Sequence, residues 1–196
     1  MKYKSLKIAV TVLLCALTLP AYAETCYEQS PNLVTGGDVY YDLVMKKKIS
    51  RKDDKKIKAF TKQLKGEWRG KAVAVSCRGS EKNPKTKTVK SKVTANMVEG
   101  VEKQLVLKAE MYMKAKKATA NTTLHFFRRD NMFNAVIADE NFVSYGERLR
   151  RRMGTGSQFI ETTYAMRLNK KKLAFNVHHY INGVLIAHEK WTLIKK

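Results

Sequence analysis

Proline is scarce in this chain of 196 residues: there are three, and none follows Pro84. Because proline cannot donate to a sheet ladder, nothing after Pro84 interrupts strand pairing. Cysteine and histidine are also rare, with three and four residues respectively. A zinc site needs at least three close protein ligands, and the spacing of these few residues supplies no such set. The sequence therefore predicts neither a metal nor another cofactor.

Acidic side chains are few as well, 17 against 39 lysines and arginines. The chain starts with the three parts of a secretory signal: early lysines, an apolar run at 8–19, and Ala21-Tyr22-Ala23 before a cut at Glu24. This run is too short to cross a bilayer as a helix. Removal of residues 1–23 takes three lysines and no acid, which leaves 36 basic and 17 acidic side chains and a net charge of +19. We therefore expect an exported protein, periplasmic or secreted, with no transmembrane segment in its mature form.

Two cysteines, Cys26 and Cys77, remain after that cut. An even pair in an oxidising compartment is typical of a disulfide. The bond would tie an N-terminal leader, residues 24–49, to the domain that follows at residues 50–196. On the chain-entropy model it would stabilise the fold by about 4 kcal/mol.

The domain is predicted to open with a short amphipathic helix over about 51–65. Ser50 followed by Asp53 resembles a capping box, and Gly66 ends the helical pattern. Basic residues occupy the outer positions, so this helix has a high density of positive charge. Its inner face is predicted to carry Ile57, Phe60, Thr61 and Leu64.

After Gly66 the apolar residues recur with period two, which is the period of a strand. About nine short strands follow at regular spacing, and Asn182-Gly183 between the last two is a strong signal for a type I′ hairpin. The pattern predicts a mainly β fold, a single antiparallel and up-and-down barrel that is closed or nearly closed. A sandwich is the alternative. Closure is favoured because hairpins explain every connection and a barrel hides its edges.

A helix followed by Gly66-Glu67-Trp68 at the start of the first strand resembles a lipocalin or a wider calycin. The resemblance implies a barrel that holds apolar or amphiphilic ligands, and it implies that Trp68 closes the barrel floor. The Thr-Asp-Tyr motif of that superfamily is absent, and no arginine follows the last strand.

His179 and His188 are the candidate catalytic residues. Pairing about the Asn182-Gly183 turn would place His179 opposite Ile186 and make the two histidines diagonal neighbours, about 7–8 Å apart on one face. Two imidazoles with lysines nearby could act as acid and base on a phosphodiester. The alternative is that both are ordinary strand residues, as lone histidines usually are.

Basic clusters are the strongest functional signal. Arg148, Arg150, Arg151 and Arg152 place four guanidiniums in five positions, and guanidiniums bind phosphate or sulfate oxygens in a fork that lysine cannot form. We expect this run to be the anion-binding site, with the lysine-rich helix adding long-range attraction. Nucleic acid fits less well, because Phe126-Phe127-Arg128-Arg129 alternates between two faces and makes no stacking platform.

These observations predict an exported basic binding protein for an anionic or amphiphilic ligand, such as a lipid, lipopolysaccharide or another polyanion. A small secreted phosphodiester hydrolase using His179 and His188 is the alternative from a different class. A structural or assembly factor of the cell envelope is a third.

Overall fold

The computed structural model describes residues 26–28, 50–101, 104–128, 132–139, 141–153 and 156–196, and of residues 132–139, 150–153 and 156–157 it describes the backbone. The predicted signal sequence, and the predicted leader apart from residues 26–28, lie outside this description. The described part is mainly β, as the sequence predicts, with a single sheet and a single α-helix.

The helix, α1, is Arg51–Leu64, within one residue of its predicted bounds. The Ser50 hydroxyl accepts a hydrogen bond from the Asp53 amide at 3.0 Å and donates one to the Asp53 carboxylate at 2.6 Å, so Ser50 caps the start of the helix. A 3₁₀ turn lies at Lys114–Lys116. The strands are β1 Gly66–Ser80, β2 Asn83–Glu99, β3 Leu105–Met113, β4 Ala118–Phe126, β5 Met132–Asp139, β6 Phe142–Met153, β7 Gly156–Asn169, β8 Lys172–Ile181 and β9 Val184–Lys195.

The strands form a nine-stranded antiparallel sheet in the order β4-β3-β2-β1-β9-β8-β7-β6-β5. This is the predicted up-and-down order, but the sheet stays open between β4 and β5. Alternation along nine strands makes these two edge strands run in the same direction. A parallel pair needs a crossover of a dozen or more residues, whereas residues 127–131 are all that separate β4 from β5.

The sheet curls around a core at one of its ends. The ring of Phe126, at the end of β4, lies edge-on to Tyr164 of β7 with the centroids 5.5 Å apart, which brings the two wings of the sheet together. Helix α1 packs Ile57, Phe60 and Leu64 into this core. No helix among the described residues is long and apolar enough to span a membrane.

Trp68 lies where the helix meets the sheet. It is fully buried, and its indole N–H donates to the Leu64 carbonyl at 2.8 Å, which satisfies one of the carbonyls left open at the helix end. Gly66, the first residue of β1, has φ +119°, a conformation that L side chains rarely adopt. Trp68 thus fixes the helix against the first strand.

Cys26 and Cys77 form the predicted disulfide, with their Cα atoms 5.5 Å apart. Next to it, the Tyr27 amide donates to the Leu185 carbonyl at 3.0 Å and the Leu185 amide donates to the Glu28 carbonyl at 2.8 Å. Residues 26–28 therefore pair with the start of β9 at the point where β1 has separated from it.

Candidate functional site

The antiparallel topology collects lysines at the end of the sheet that α1 covers. The turn between β7 and β8 and the end of β9 both lie there, and the Lys195 amide donates to the Lys171 carbonyl at 2.8 Å. The Lys195 ammonium donates to the Gln63 carbonyl of α1 at 2.8 Å, which ties the helix to this cluster. We call this surface the basic end; it comprises Lys52, Lys55, Lys58, Lys62, Lys65, Lys170, Lys171, Lys172, Lys195 and Lys196.

A groove of about 540 Å³ opens at the basic end, between α1 and the turn that joins β2 to β3. Its cationic rim comes from α1 and its floor is partly apolar. We call it the lysine groove; it is lined by Lys55, Lys58, Ala59, Thr61, Lys62, Lys65, Glu99, Gln104 and Leu105.

Ion pairing divides the lysines of this groove into two kinds. Lys58 contacts Asp54 at 2.7 Å, one helical turn earlier, and Lys65 pairs with Glu99 of β2. For Lys55 and Lys62, no carboxylate partner occurs among the described residues. These two ammonium groups stand seven residues apart, hence on one helical face, and can receive an external anion.

Val101 lies at the tip of the β2–β3 turn, beside the lysine groove, and 78% of its surface is exposed. The turn is closed by a hydrogen bond from the Gln104 amide to the Val101 carbonyl at 3.3 Å. Val101 is thus an apolar side chain that the fold leaves accessible next to a cationic groove.

The structure places Arg148 away from the solvent. Its side chain is 1% exposed and its guanidinium lies 2.7 Å from Glu161, which is 4% exposed and directly opposite on β7. The expected surface row of Arg148, Arg150 and Arg152 therefore lacks its first member, because Arg148 forms an internal ion pair. The side chains of Arg150, Arg151 and Arg152 lie outside the description, so their role in anion binding stays a prediction.

The predicted pairing of His179 and His188 is wrong by one residue. The Asn182-Gly183 turn is present, with positive φ at both residues, but a β-bulge follows it: Tyr180 pairs with Leu185 and His179 with Ala187. Ile186 is the extra residue, and it moves His188 opposite His178. His179 and His188 consequently point to opposite faces of the sheet and cannot act together on one phosphodiester.

On the inner face, His179 belongs to a row of polar side chains. Its Nδ1 lies 3.4 Å from the Thr162 hydroxyl, and its Nε2 lies 3.6 Å from the Glu189 carboxylate. The Trp191 indole N–H also donates to Glu189, at 2.7 Å. Burial raises the pKa of Glu189, but the nearby His179 imidazole and the hydrogen bond from Trp191 outweigh it, so the pKa lies below its ordinary value.

A second inner cluster surrounds Glu147. Its carboxylate accepts hydrogen bonds from the Arg128 amide at 3.1 Å and from the Arg128 Nε at 2.8 Å. Burial raises the pKa of Glu147, and the Arg128 guanidinium offsets part of that rise. The Tyr145 hydroxyl accepts from the Phe127 amide at 3.2 Å, and burial raises the pKa of Tyr145 as well. These contacts fix the chain where it leaves β4.

No group of three or more potential metal ligands occurs among the described residues. No protein-family model matches the chain, and no curated protein matches it either. One similar solved structure is a protein of unknown function from the DUF3598 family of Nostoc punctiforme, with 14% sequence identity and a TM-score of 0.32. The match covers 69% of this chain and 49% of that one, so the chain spans about half the length of its structural neighbour.

Proposed function

We propose that this protein is an exported binding protein for an anionic amphiphile, such as a phosphorylated lipid, and that the basic end is its contact surface. The observation that carries the proposal is the lysine groove, in which Lys55 and Lys62 face a volume of about 540 Å³. Phosphate oxygens would replace the carboxylate partners that these two lysines lack within the described residues.

The amphiphilic part of the proposal rests on Ala59 and Val101. Ala59 is an exposed apolar residue in the lining of the groove, and Val101 stands exposed at its edge. A phosphate headgroup would meet the ammonium groups while an adjoining acyl segment met these apolar side chains. An exported protein would encounter lipopolysaccharide and anionic phospholipids as anionic amphiphiles.

Export itself rests on the composition of residues 1–23, and the disulfide between Cys26 and Cys77 supports an oxidising compartment. The expected destination is the periplasm or the medium. Expression of the complete chain in a bacterial host should yield a mature protein that begins at Glu24, as measured by intact mass. Recovery of a protein that retains residues 1–23 would refute cleavage.

The binding proposal is tested with vesicles of phosphatidylcholine, with and without phosphatidylglycerol, mixed with the mature protein. Wild type should float with the anionic vesicles and not with the neutral ones. The Lys55→Gln/Lys62→Gln variant should bind about thirtyfold more weakly, because each lysine near an anionic surface contributes about 1 kcal/mol. Val101→Ser should weaken vesicle binding without changing the attraction to a soluble polyphosphate.

The matched control is Lys85→Gln/Lys87→Gln, which removes the same charge from exposed positions on β2, distant from the basic end. This control should bind the anionic vesicles like wild type. Equal losses from the two pairs would mean that binding follows net charge rather than the lysine groove, and the proposed site would be wrong.

A further inference from the structure

A second cationic surface lies on the opposite side of the sheet from the core. Trp68 and Ala72 of β1 point into the core, so Arg69 and Lys71 point away from it. The same alternation places lysines of β2 and β9 on this side. We call this surface the outer basic face; it comprises Arg69, Lys71, Lys90, Lys92 and Lys190, all of which are exposed.

The register makes this face a compact array of like charges. Lys71 of β1 lies directly opposite Lys92 of β2. One pleat further, Val73 of β1 has Lys90 on one side and Lys190 on the other. Like charges directly opposite each other destabilise an antiparallel pair, and among the described residues no carboxylate forms an ion pair with any of the five cations.

Protection of sheet edges does not account for these lysines. Lysine is commonly placed on edge strands because it discourages pairing with another chain. Here β1 and β9 lie in the middle of the sheet, as the fourth and fifth of the nine strands counted from β4, and both are paired on both sides. The repulsion between Lys71 and Lys92 therefore neither stabilises the core nor protects a sheet edge.

We infer that the outer basic face is a binding track for the phosphate backbone of a linear polyanion, a function distinct from the proposed binding of amphiphiles at the basic end. Residue positions on this face lie about 4.8 Å apart across strands and about 6.5–7 Å apart along them, so the five cations offer several spacings to a flexible chain of phosphates. A flat bilayer would touch a curled sheet over a small area. Tyr112, beside Lys92 and 41% exposed, is placed to stack on a base where the polymer carries one.

The track is tested by fluorescence anisotropy with a labelled single-stranded oligothymidylate, using inorganic polyphosphate as competitor. The variant Lys71→Gln/Lys92→Gln/Lys190→Gln should bind at least tenfold more weakly than wild type. The slope of log K against log salt concentration should become shallower by about 2, because each phosphate contact on a single strand contributes roughly 0.7 to that slope. The control Lys52→Gln/Lys55→Gln/Lys62→Gln removes the same charge from α1 and should keep most of the affinity.

Competition by polyphosphate and flotation of the outer triple variant with vesicles distinguish this site from the alternatives. If polyphosphate displaces the oligonucleotide fully, the shared ligand is the phosphate backbone; if it does not, base stacking on Tyr112 carries the binding and the backbone assignment is wrong. The outer triple variant should still float with anionic vesicles, and it should unfold at a slightly higher temperature than wild type because a repulsive pair is gone. Equal losses from the two triple variants, or no saturable binding by wild type, would overturn the inference. Neither outcome would bear on the proposed binding of anionic vesicles, which is measured by flotation.

Discussion

The guanidinium of Arg148 on β6 lies 2.7 Å from the carboxylate of Glu161, its direct neighbour on β7, and both side chains are almost fully buried. The first arginine of the most basic run in the sequence is thus part of the fold. An internal ion pair of this kind makes two strands depend on each other, because either charge without the other would be buried at a high cost.

The variant Arg148→Ser is expected to lower the free energy of unfolding by about 3 kcal/mol, since it removes the cation that faces a buried carboxylate. Urea unfolding measures the loss. Arg148→Met/Glu161→Leu should recover much of it, because both charges are then removed. The exposed Arg69→Ser is the control and should unfold like wild type. If Arg148→Ser keeps its stability and loses affinity for anionic vesicles, Arg148 contacts the ligand after all.

The bond between Cys26 and Cys77 closes a loop with a sequence separation of 51 residues. The variant Cys26→Ser/Cys77→Ser should lose about 4 kcal/mol of stability on the chain-entropy model. Chemical denaturation under non-reducing conditions measures the difference, and wild type with added reductant should move toward the variant. Tyr27→Phe, which removes a hydrogen bond to the Gly79 carbonyl at 3.0 Å, is the control for local packing and should cost about 1 kcal/mol. Two alkylatable thiols in untreated protein would contradict the bond.

The period of the apolar residues was sufficient to predict the helix and the strands. In helix α1 the buried residues recur with a period near 3.6, and lysines occupy positions between them. Strand β2 buries Ser91, Val93, Ala95 and Met97 on one face, as expected. The Asn182-Gly183 hairpin was predictable because a type I′ turn needs positive φ at both residues. Closure of the sheet was not predicted correctly, because the direction of β5 depends on its pairing with β6 and not on the segment that leads into it.

The candidate sites were harder to predict because they depend on neighbours across strands. A single bulged residue, Ile186, was enough to send His188 to the other face, since the side-chain period of a strand is two. The ion-pair partner of Arg148 could not be predicted from the sequence of β6, because it lies on the neighbouring strand β7. The outer basic face did leave a signal, namely lysine or arginine at every second position in Arg69, Lys71, Lys90 and Lys92, but only the register of β1 with β2 brings these residues together.

The row formed by Thr162, His179 and Glu189 gives a prediction for acid solution. Burial raises the pKa of Glu189, but the His179 imidazole and the hydrogen bond from Trp191 lower it by more, so the pKa in the folded state lies below that in the unfolded state. A carboxylate of this kind contributes stability above its unfolded pKa and loses it as the pH falls through the folded one.

The variant Glu189→Gln should therefore be about 1–2 kcal/mol less stable than wild type at neutral pH, where the carboxylate accepts its hydrogen bonds in the charged form. The difference should shrink as the pH falls below the ordinary carboxyl value of 4.5, because wild type then protonates the same group. Urea unfolding of both proteins at a series of pH values measures this difference, and titrating groups remote from Glu189 cancel because the two chains share them. The control Glu67→Gln changes a carboxylate that is 65% exposed and paired with Lys196, so it should have little effect at any pH. A difference between wild type and Glu189→Gln that stays constant into acid solution would show that Glu189 acts through its shape and not through its charge.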